Sequence, residues 1–179
     1  MLLRPDTELV ALARQGSTEA AGVIFDRYWQ LTWRSAYAVT ASRELADDAA
    51  QEAIVKALGA LDRYDEARPL GPWLKRIAVN VAIDILRKRR ASELGAEIPA
   101  FHDWSLGDAA EEDVRLWAVT DAVAALATEK RLVVVLHYWL DLPLEEVAGV
   151  LGIPFGTVAS RLARAKAELR AVLEEEHVV

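Results

Sequence analysis

The stretch from Leu142 to Arg170, LPLEEVAGVLGIPFGTVASRLARAKAELR, constrains the chain most, because its apolar residues keep helical spacing on both sides of one tight break. Pro143 suits a first helical position, and Leu144, Val147, Ala148 and Leu151 then form a stripe. Gly152 supplies the stop. Pro154 can open a second helix, whose inward stripe is Val158, Leu162, Ala165 and Leu169 and whose other face shows Thr157, Ser160, Arg161 and Arg164. Two helices meeting at a turn, the second with its cations early, fit a helix-turn-helix. There the second helix presents its N-terminal residues to base edges, Arg pairs with guanine, and Ser or Thr holds phosphate. A structural hairpin with solvated cations has the same periodicity, so this segment alone leaves both readings open.

The rest of the chain predicts helices too. Asp6 or Thr7 can cap a short helix ended by Gly16, Ser17 a longer one toward Val39, and Ser42 a third reaching about Leu61. Asp62 to Pro72 is rich in turn residues; Pro69, Gly71 and Pro72 argue against helix there, and Trp73 begins a fourth helix continuing to about Arg90. From Ala91 to Asp113 the period dissolves among Gly95, Pro99, Gly107 and seven acids, with Phe101 and Trp104 as unusual apolar members. Helix resumes near Val114. Leu132 to Leu136 has strand-like composition in helical surroundings, and helix is expected there. The fold class expected is all-α: two small helical domains, 1–90 and 114–179, joined by an acidic flexible linker, 91–113.

Charge bears on partners. The chain of 179 residues has a net charge of −7, awkward for nucleic-acid binding, whose nonspecific part comes from cations displacing counterions. Residues 1–90 hold 14 Lys and Arg against 12 Asp and Glu, a balance of +2, while 91–120 stand at −6 and 121–179 at −3. Such a chain should bind DNA poorly alone and reach it on a larger partner. With no cysteine, disulfides and thiolate chemistry are excluded. His102, His137 and His177 are too scattered for a metal site, and neither a cofactor site nor a catalytic residue is expected. No signal peptide or membrane span is legible, so a soluble cytoplasmic protein with no direct membrane insertion is expected.

The helix from Trp73 carries two rows. Trp73, Ile77, Val81 and Ile85 recur every fourth residue and should anchor it, while Arg76, Asn80, Asp84 and Arg87 form a parallel polar row followed by Lys88, Arg89 and Arg90. That row fits a solvated face closed by cations at a helix C-terminus. Equally, it fits a surface that tracks phosphates and reads a base beside an irregular loop. On the third helix Asp47, Asp48, Gln51 and Glu52 make an acidic and amide patch with Lys56 one turn on, better suited to an interaction surface than to acid–base chemistry.

Together these motifs resemble the extracytoplasmic-function branch of the bacterial sigma-70 family. ADDAAQEAIVKAL (46–58) and PWLKRIAVNVAIDILRKRR (72–90) resemble its region two; the Leu126 segment, the Glu145 to Ile153 helix and GTVASRLARAKAELR (156–170) resemble region four. The resemblance implies a transcription initiation factor rather than an enzyme, with core RNA polymerase and promoter DNA as partners and room for an anti-sigma factor. It assigns Asp47, Asp48, Gln51 and Glu52 to polymerase docking and the loop from Asp62 to Gly71 to capture of a flipped base of the minus-ten element. Arg76, Asn80, Arg87, Lys88 and Arg90 fall on the promoter-melting helix, and Thr157, Ser160, Arg161 and Arg164 on the helix reading the minus-thirty-five element. The linker would cross the channel that nascent RNA later needs. Ile54 stands where an aromatic is usual, Pro143 where a Ser or Thr cap is common, and Ala159 where a basic residue often sits. A dimeric helix-turn-helix repressor and a helical adaptor that binds no DNA are the competing readings, although the first half shows neither a ligand pocket nor dimer heptads.

Overall fold

The computed structural model describes residues 3–94 and 115–175, and every regular element among them is helical. In chain order they are α1 (Asp6–Arg14), α2 (Thr18–Thr40), α3 (Arg43–Gly59), α4 (Leu70–Leu94), α5 (Arg115–Ala125), α6 (Thr128–Val134), α7 (Leu144–Leu151) and α8 (Phe155–Glu175). A 3-10 turn, Leu61–Arg63, follows α3, and a π turn, Val135–Trp139, follows α6. The strand-like run is therefore helical. Most of the expected linker, with Phe101 and Trp104, lies outside the described residues, as do His102 and His177.

Two of the expected caps are in place. Ser17 Oγ accepts from the Ala20 amide at 3.2 Å and Ser42 Oγ from that of Leu45 at 3.4 Å, each satisfying a donor the helix leaves open. At α1 the structure corrects the reading: Pro5 holds the cap position and Asp6 lies in the first turn, its carboxylate accepting from Arg27 at 2.5 Å and from the Tyr28 hydroxyl. Burial and this partner push the Tyr28 hydroxyl well above the usual phenol range. α4 is longer at both ends than expected, from Leu70 to Leu94. Gly71 and Pro72 sit in its first turn, where a missing N–H costs nothing, so they mark a helix start rather than exclude one.

α2, α3 and α4 form the body of the first half, and alanine lines their contact: Ala36, Ala46, Ala49, Ala53, Ala78 and Ala82 are wholly buried. α4 enters this core chiefly through Leu74, Ala78, Val79, Ala82 and Ile83, while Trp73, Ile77 and Ile85 of the expected row are only half-buried. α1 covers one end, where Leu9 and Val10 join Ile24, Leu61, Tyr64, Leu70 and Leu74 in a second apolar cluster.

The second half docks on α2 through α5 and α6. Arg131 of α6 is buried at this contact, 6% exposed. Its Nε donates to the Val39 carbonyl at 2.8 Å, Nη1 to those of Ala124 and Leu126 at 3.0 and 2.9 Å, and Nη2 to the Thr128 hydroxyl at 3.2 Å. Val39 lies in the last turn of α2, and Ala124 and Leu126 flank the end of α5. One guanidinium thus satisfies carbonyls that two helix C-termini leave open, where each helix dipole favours a cation. Burial lowers its pKa, but an arginine starts far enough above neutrality to stay charged.

Arg131→Met keeps much of the apolar stem but strands three buried carbonyls. It should cost about 2–5 kcal/mol at roughly 1–3 kcal/mol for each unsatisfied group, discounted for relaxation. Denaturant unfolding followed by probes in each half should change from one transition to two, whereas an unchanged single midpoint would show that Arg131 does not hold the halves together.

Candidate nucleic-acid interface

α7 and α8 meet at a turn built by Gly152. Its φ of +63° is left-handed, and the Ile153 amide reaches back to the Ala148 carbonyl at 3.1 Å. This closes α7 and turns the chain within three residues. Both prolines lie one residue outside their expected places: Pro143 is the cap of α7, and the Pro154 carbonyl precedes α8 and accepts from the Thr157 and Val158 amides at 2.9 and 3.2 Å. Ahead of the pair, the His137 ring donates through Nδ1 to the Leu142 carbonyl at 2.8 Å, fastening the π turn to the segment that leads into α7.

α8 divides as its periodicity predicts. Val158, Leu162 and Ala165 are buried and Leu169 is half-buried, so Ser160 and Arg164 stand exposed on the outer side, with Thr157 and Arg161 half-exposed at its margin. Arg161 Nη2 bonds Glu129 Oε2 at 3.0 Å, and Lys130 pairs with Glu168. The Ser160 hydroxyl donates to the Thr157 carbonyl at 3.0 Å.

In α4 the polar row does not stay in solvent. Arg76 is buried, at 6% exposure, so it is not part of the exposed face that its spacing suggested. Asn80, Asp84 and Arg87 are half-buried, and Lys88, Arg89 and Arg90 are exposed. Arg87 Nη2 donates to the Val150 carbonyl of α7 at 3.2 Å, which places the end of this row at the contact between the two halves. Desolvation lowers the Arg87 pKa, with Asp84 opposing.

Between α3 and α4 the loop has an anchored inside and an exposed rim. Leu61, Tyr64 and Leu70 are buried, and Tyr64 lies with its ring 5.1 Å from that of Trp73 and its hydroxyl donating to the Arg68 carbonyl. Asp62, Arg63 and residues 65–69 are exposed. Asp65 Oδ1 accepts from the Ala67 amide at 3.0 Å, giving the rim a local turn. Arg14 of α1, which no periodicity singled out, also reaches this loop.

On α3, Asp47, Asp48 and Gln51 are exposed and Glu52 is half-buried, all toward one side. Asp47 accepts from the Trp33 indole of α2 at 2.6 Å, and Glu52 pairs with Lys56 at 2.6 Å. Among the described residues no three His, Asp or Glu side chains converge as a metal site, and no helix is long and apolar enough to cross a membrane.

Two family models match the chain in the order of these surfaces: Sigma-70 region 2 over residues 24–92 and Sigma-70, region 4 over residues 116–169. The ECF RNA polymerase sigma factor SigW of Bacillus subtilis is 30% identical over 174 residues, covering 90% of this chain and 93% of the relative. The chain belongs to the extracytoplasmic-function (ECF) sigma factor family.

The RNA polymerase sigma factor CnrH of Cupriavidus metallidurans is 31% identical over 182 residues, with 96% and 95% of the two chains covered. The solved structure of CnrH in complex with the cytosolic domain of CnrY is similar as well, with a TM-score of 0.52, 30% identity and 95% of this chain and 97% of that one covered. The protein is thus an RNA polymerase sigma factor, and the repressor and adaptor readings are not favoured. In this ECF sigma factor the helix-turn-helix of α7 and α8 falls in the region-four match. The loop and the α4 row fall in the region-two match, and α1 precedes it.

Because the reader's angle depends on a left-handed residue, Gly152→Ala should lower the stability of this sigma factor by about 1 kcal/mol, although a Cβ there meets no neighbour. Thermal unfolding followed by circular dichroism measures it; an unchanged midpoint would mean the turn relaxes to another conformation.

Proposed function

We propose that this sigma factor selects two-part promoters through two separate surfaces and carries both to DNA on core RNA polymerase. Thr157, Ser160, Arg161 and Arg164 on α8 read the minus-thirty-five element. The loop from Asp62 to Gly71 captures an unstacked base of the minus-ten element, and Asn80, Arg87, Lys88 and Arg90 of α4 support melting, with Arg76 acting from inside the bundle. Asp47, Asp48, Gln51 and Glu52 dock on polymerase. In this scheme residues 1–90 and 114–179 work as two units tethered by 91–113. Polymerase supplies the catalytic chemistry, and the factor acts in the cytoplasm. CnrH is solved with the cytosolic domain of CnrY, and by analogy an anti-sigma partner is proposed here too.

The observation that carries this reading is the division of α8: Val158, Leu162 and Ala165 are held in the core, which leaves Ser160 and Arg164 outward in its N-terminal half. The order of the two halves supports it. Base capture offsets part of an unstacking cost of a few kcal/mol, and tethering lets two weak readers add through effective concentration. The elements lie roughly 25 base pairs apart, about 85 Å at 3.4 Å per base pair, so halves in contact cannot serve both. Engaging a promoter therefore parts Arg131 from Val39 and Arg87 from Val150.

In transcription with reconstituted holoenzyme, Arg161→Ala and Arg164→Ala should each weaken selection of the upstream element by about 1–3 kcal/mol while polymerase binding survives. An intact upstream preference in either variant would remove that residue from the reader. Asn80→Ala should leave assembly unchanged and reduce permanganate reactivity of unpaired thymines in the downstream element; normal reactivity would return the α4 row to a structural role. The free protein, at net charge −7, should shift duplex DNA weakly at physiological salt, and tight sequence-specific binding without polymerase would favour a repressor.

A further inference from the structure

We propose that Arg14 of α1 is a positioning residue that holds the base-capture loop in its receiving shape; this rests on the capture role proposed above for residues 62–71. Arg14 Nη2 donates to the Leu61 and Tyr64 carbonyls, both at 2.8 Å, Nε donates to Leu61 at 3.1 Å, and Nη1 pairs with the Glu66 carboxylate. A single planar fork thus fixes two carbonyls on either side of the exposed pair Asp62 and Arg63, together with Glu66 of the rim. An ammonium is a point charge and does not reproduce that geometry.

The loop needs such a brace. Its own hydrogen bonds are short-range: the Tyr64 amide to Leu61 at 3.0 Å, the Arg63 amide to Ala60 at 2.9 Å, the Arg68 amide to Asp65 at 3.1 Å. The Tyr64 hydroxyl on the Arg68 carbonyl anchors the far end of the rim, but none of these bonds ties the loop to a helix other than α3 and α4. Arg14 does, because α1 is itself fixed: Leu9 and Val10 are wholly buried, and Asp6 is bonded to Arg27 and Tyr28 of α2. α1 is therefore a splint, joined to α2 at one end and to the loop at the other, and it lies before residues 24–92, which match region two. A loop ordered in advance loses less conformational entropy when a base enters.

The test uses holoenzyme carrying Arg14→Ala or Arg14→Lys on promoters with each of the four bases, or an abasic site, at the captured position. Open complexes are followed by permanganate, and upstream-element preference serves as an internal reference. In Arg14→Ala the ratio of preferred base to abasic site should fall about five- to tenfold, the scale of one or two net hydrogen bonds. Upstream preference should not change, and Arg14→Lys should recover less than half of the loss. A third protein, with residues 65–68 replaced by glycine and serine, separates the two ideas. If it loses discrimination while Arg14→Ala keeps it, the assignment of Arg14 is wrong and base capture stands. If both keep it, base capture falls and the Arg14 role with it. Should Arg14→Ala fail to fold, the Lys variant decides: selective loss at the captured position supports the proposal, and wild-type discrimination overturns it.

Discussion

Close contact among α2, α3 and α4 underlies the rest of the structure, and alanine makes it close. Ala36, Ala46, Ala49, Ala53, Ala78 and Ala82 are all wholly buried, so the side chains standing between the three backbones at these positions are single methyls, which permit close packing. Each methyl buries little surface, and the stabilisation comes from many contacts at high density. A larger side chain here would force the helices apart at a cost of about 1–3 kcal/mol. This seam puts the large and charged residues outside. Asp47, Asp48 and Gln51 stand off α3, the loop closes one end of the bundle, and Lys88, Arg89 and Arg90 extend past the other.

The contact between the halves has a different character. Arg131 lies buried among carbonyl oxygens, and burying a charge is expensive unless oriented dipoles replace water. Here two helix C-termini converge on the guanidinium, so fixed peptide dipoles take over that task. Such a contact is directional: the bond to the Val39 carbonyl holds in one orientation of the halves and is lost when they separate, while those to Ala124, Leu126 and Thr128 stay within the second half. Arg87 on Val150 is weaker, at 3.2 Å and half-buried, but engages the same row of α4 that the proposed function assigns to melting. Under the proposed function, closure of the halves would therefore withhold Arg87, at the end of that row, from DNA.

Local chemistry was legible in the chain, and tertiary choice was not. Ser17, Ser42 and Gly152 fixed element boundaries because capping and left-handed turns are decided by a few adjacent residues. The α8 stripe was equally plain, since a period of 3.6 residues determines which side meets a core. Gly71 and Pro72 misled because the residues that break a helix inside also start one, and only Leu70 packing beneath them decides between the two. Arg76 misled because period alone does not say how wide the buried face is; α4 is embraced by α2 and α3, and its buried arc swallows the arginine. Arg14 left no signal at all. Its partners are carbonyls 47 and 50 residues away, and any residue type offers a carbonyl.

The acidity of the chain also looks different once the pairs are known. Arg161 and Lys130 on the reader side already have carboxylate partners, Glu129 and Glu168, which are exposed to solvent on about 64% and 47% of their side chains. Ion pairs of that exposure contribute ~0–1 kcal/mol and weaken with salt, so they orient the cations without holding them against a phosphate. They do lower the favourable field that free cations would project toward DNA. Arg164 carries more of that field, being exposed on the outer side of α8. If α8 reads DNA as proposed, a helix screened in this way would lose little once polymerase brings it into contact, where short-range base and phosphate bonds would replace the carboxylates, and it would lose much of its attraction at a distance. That division suits a subunit whose encounter with DNA is governed by the larger assembly and whose own side chains need only distinguish one sequence from another.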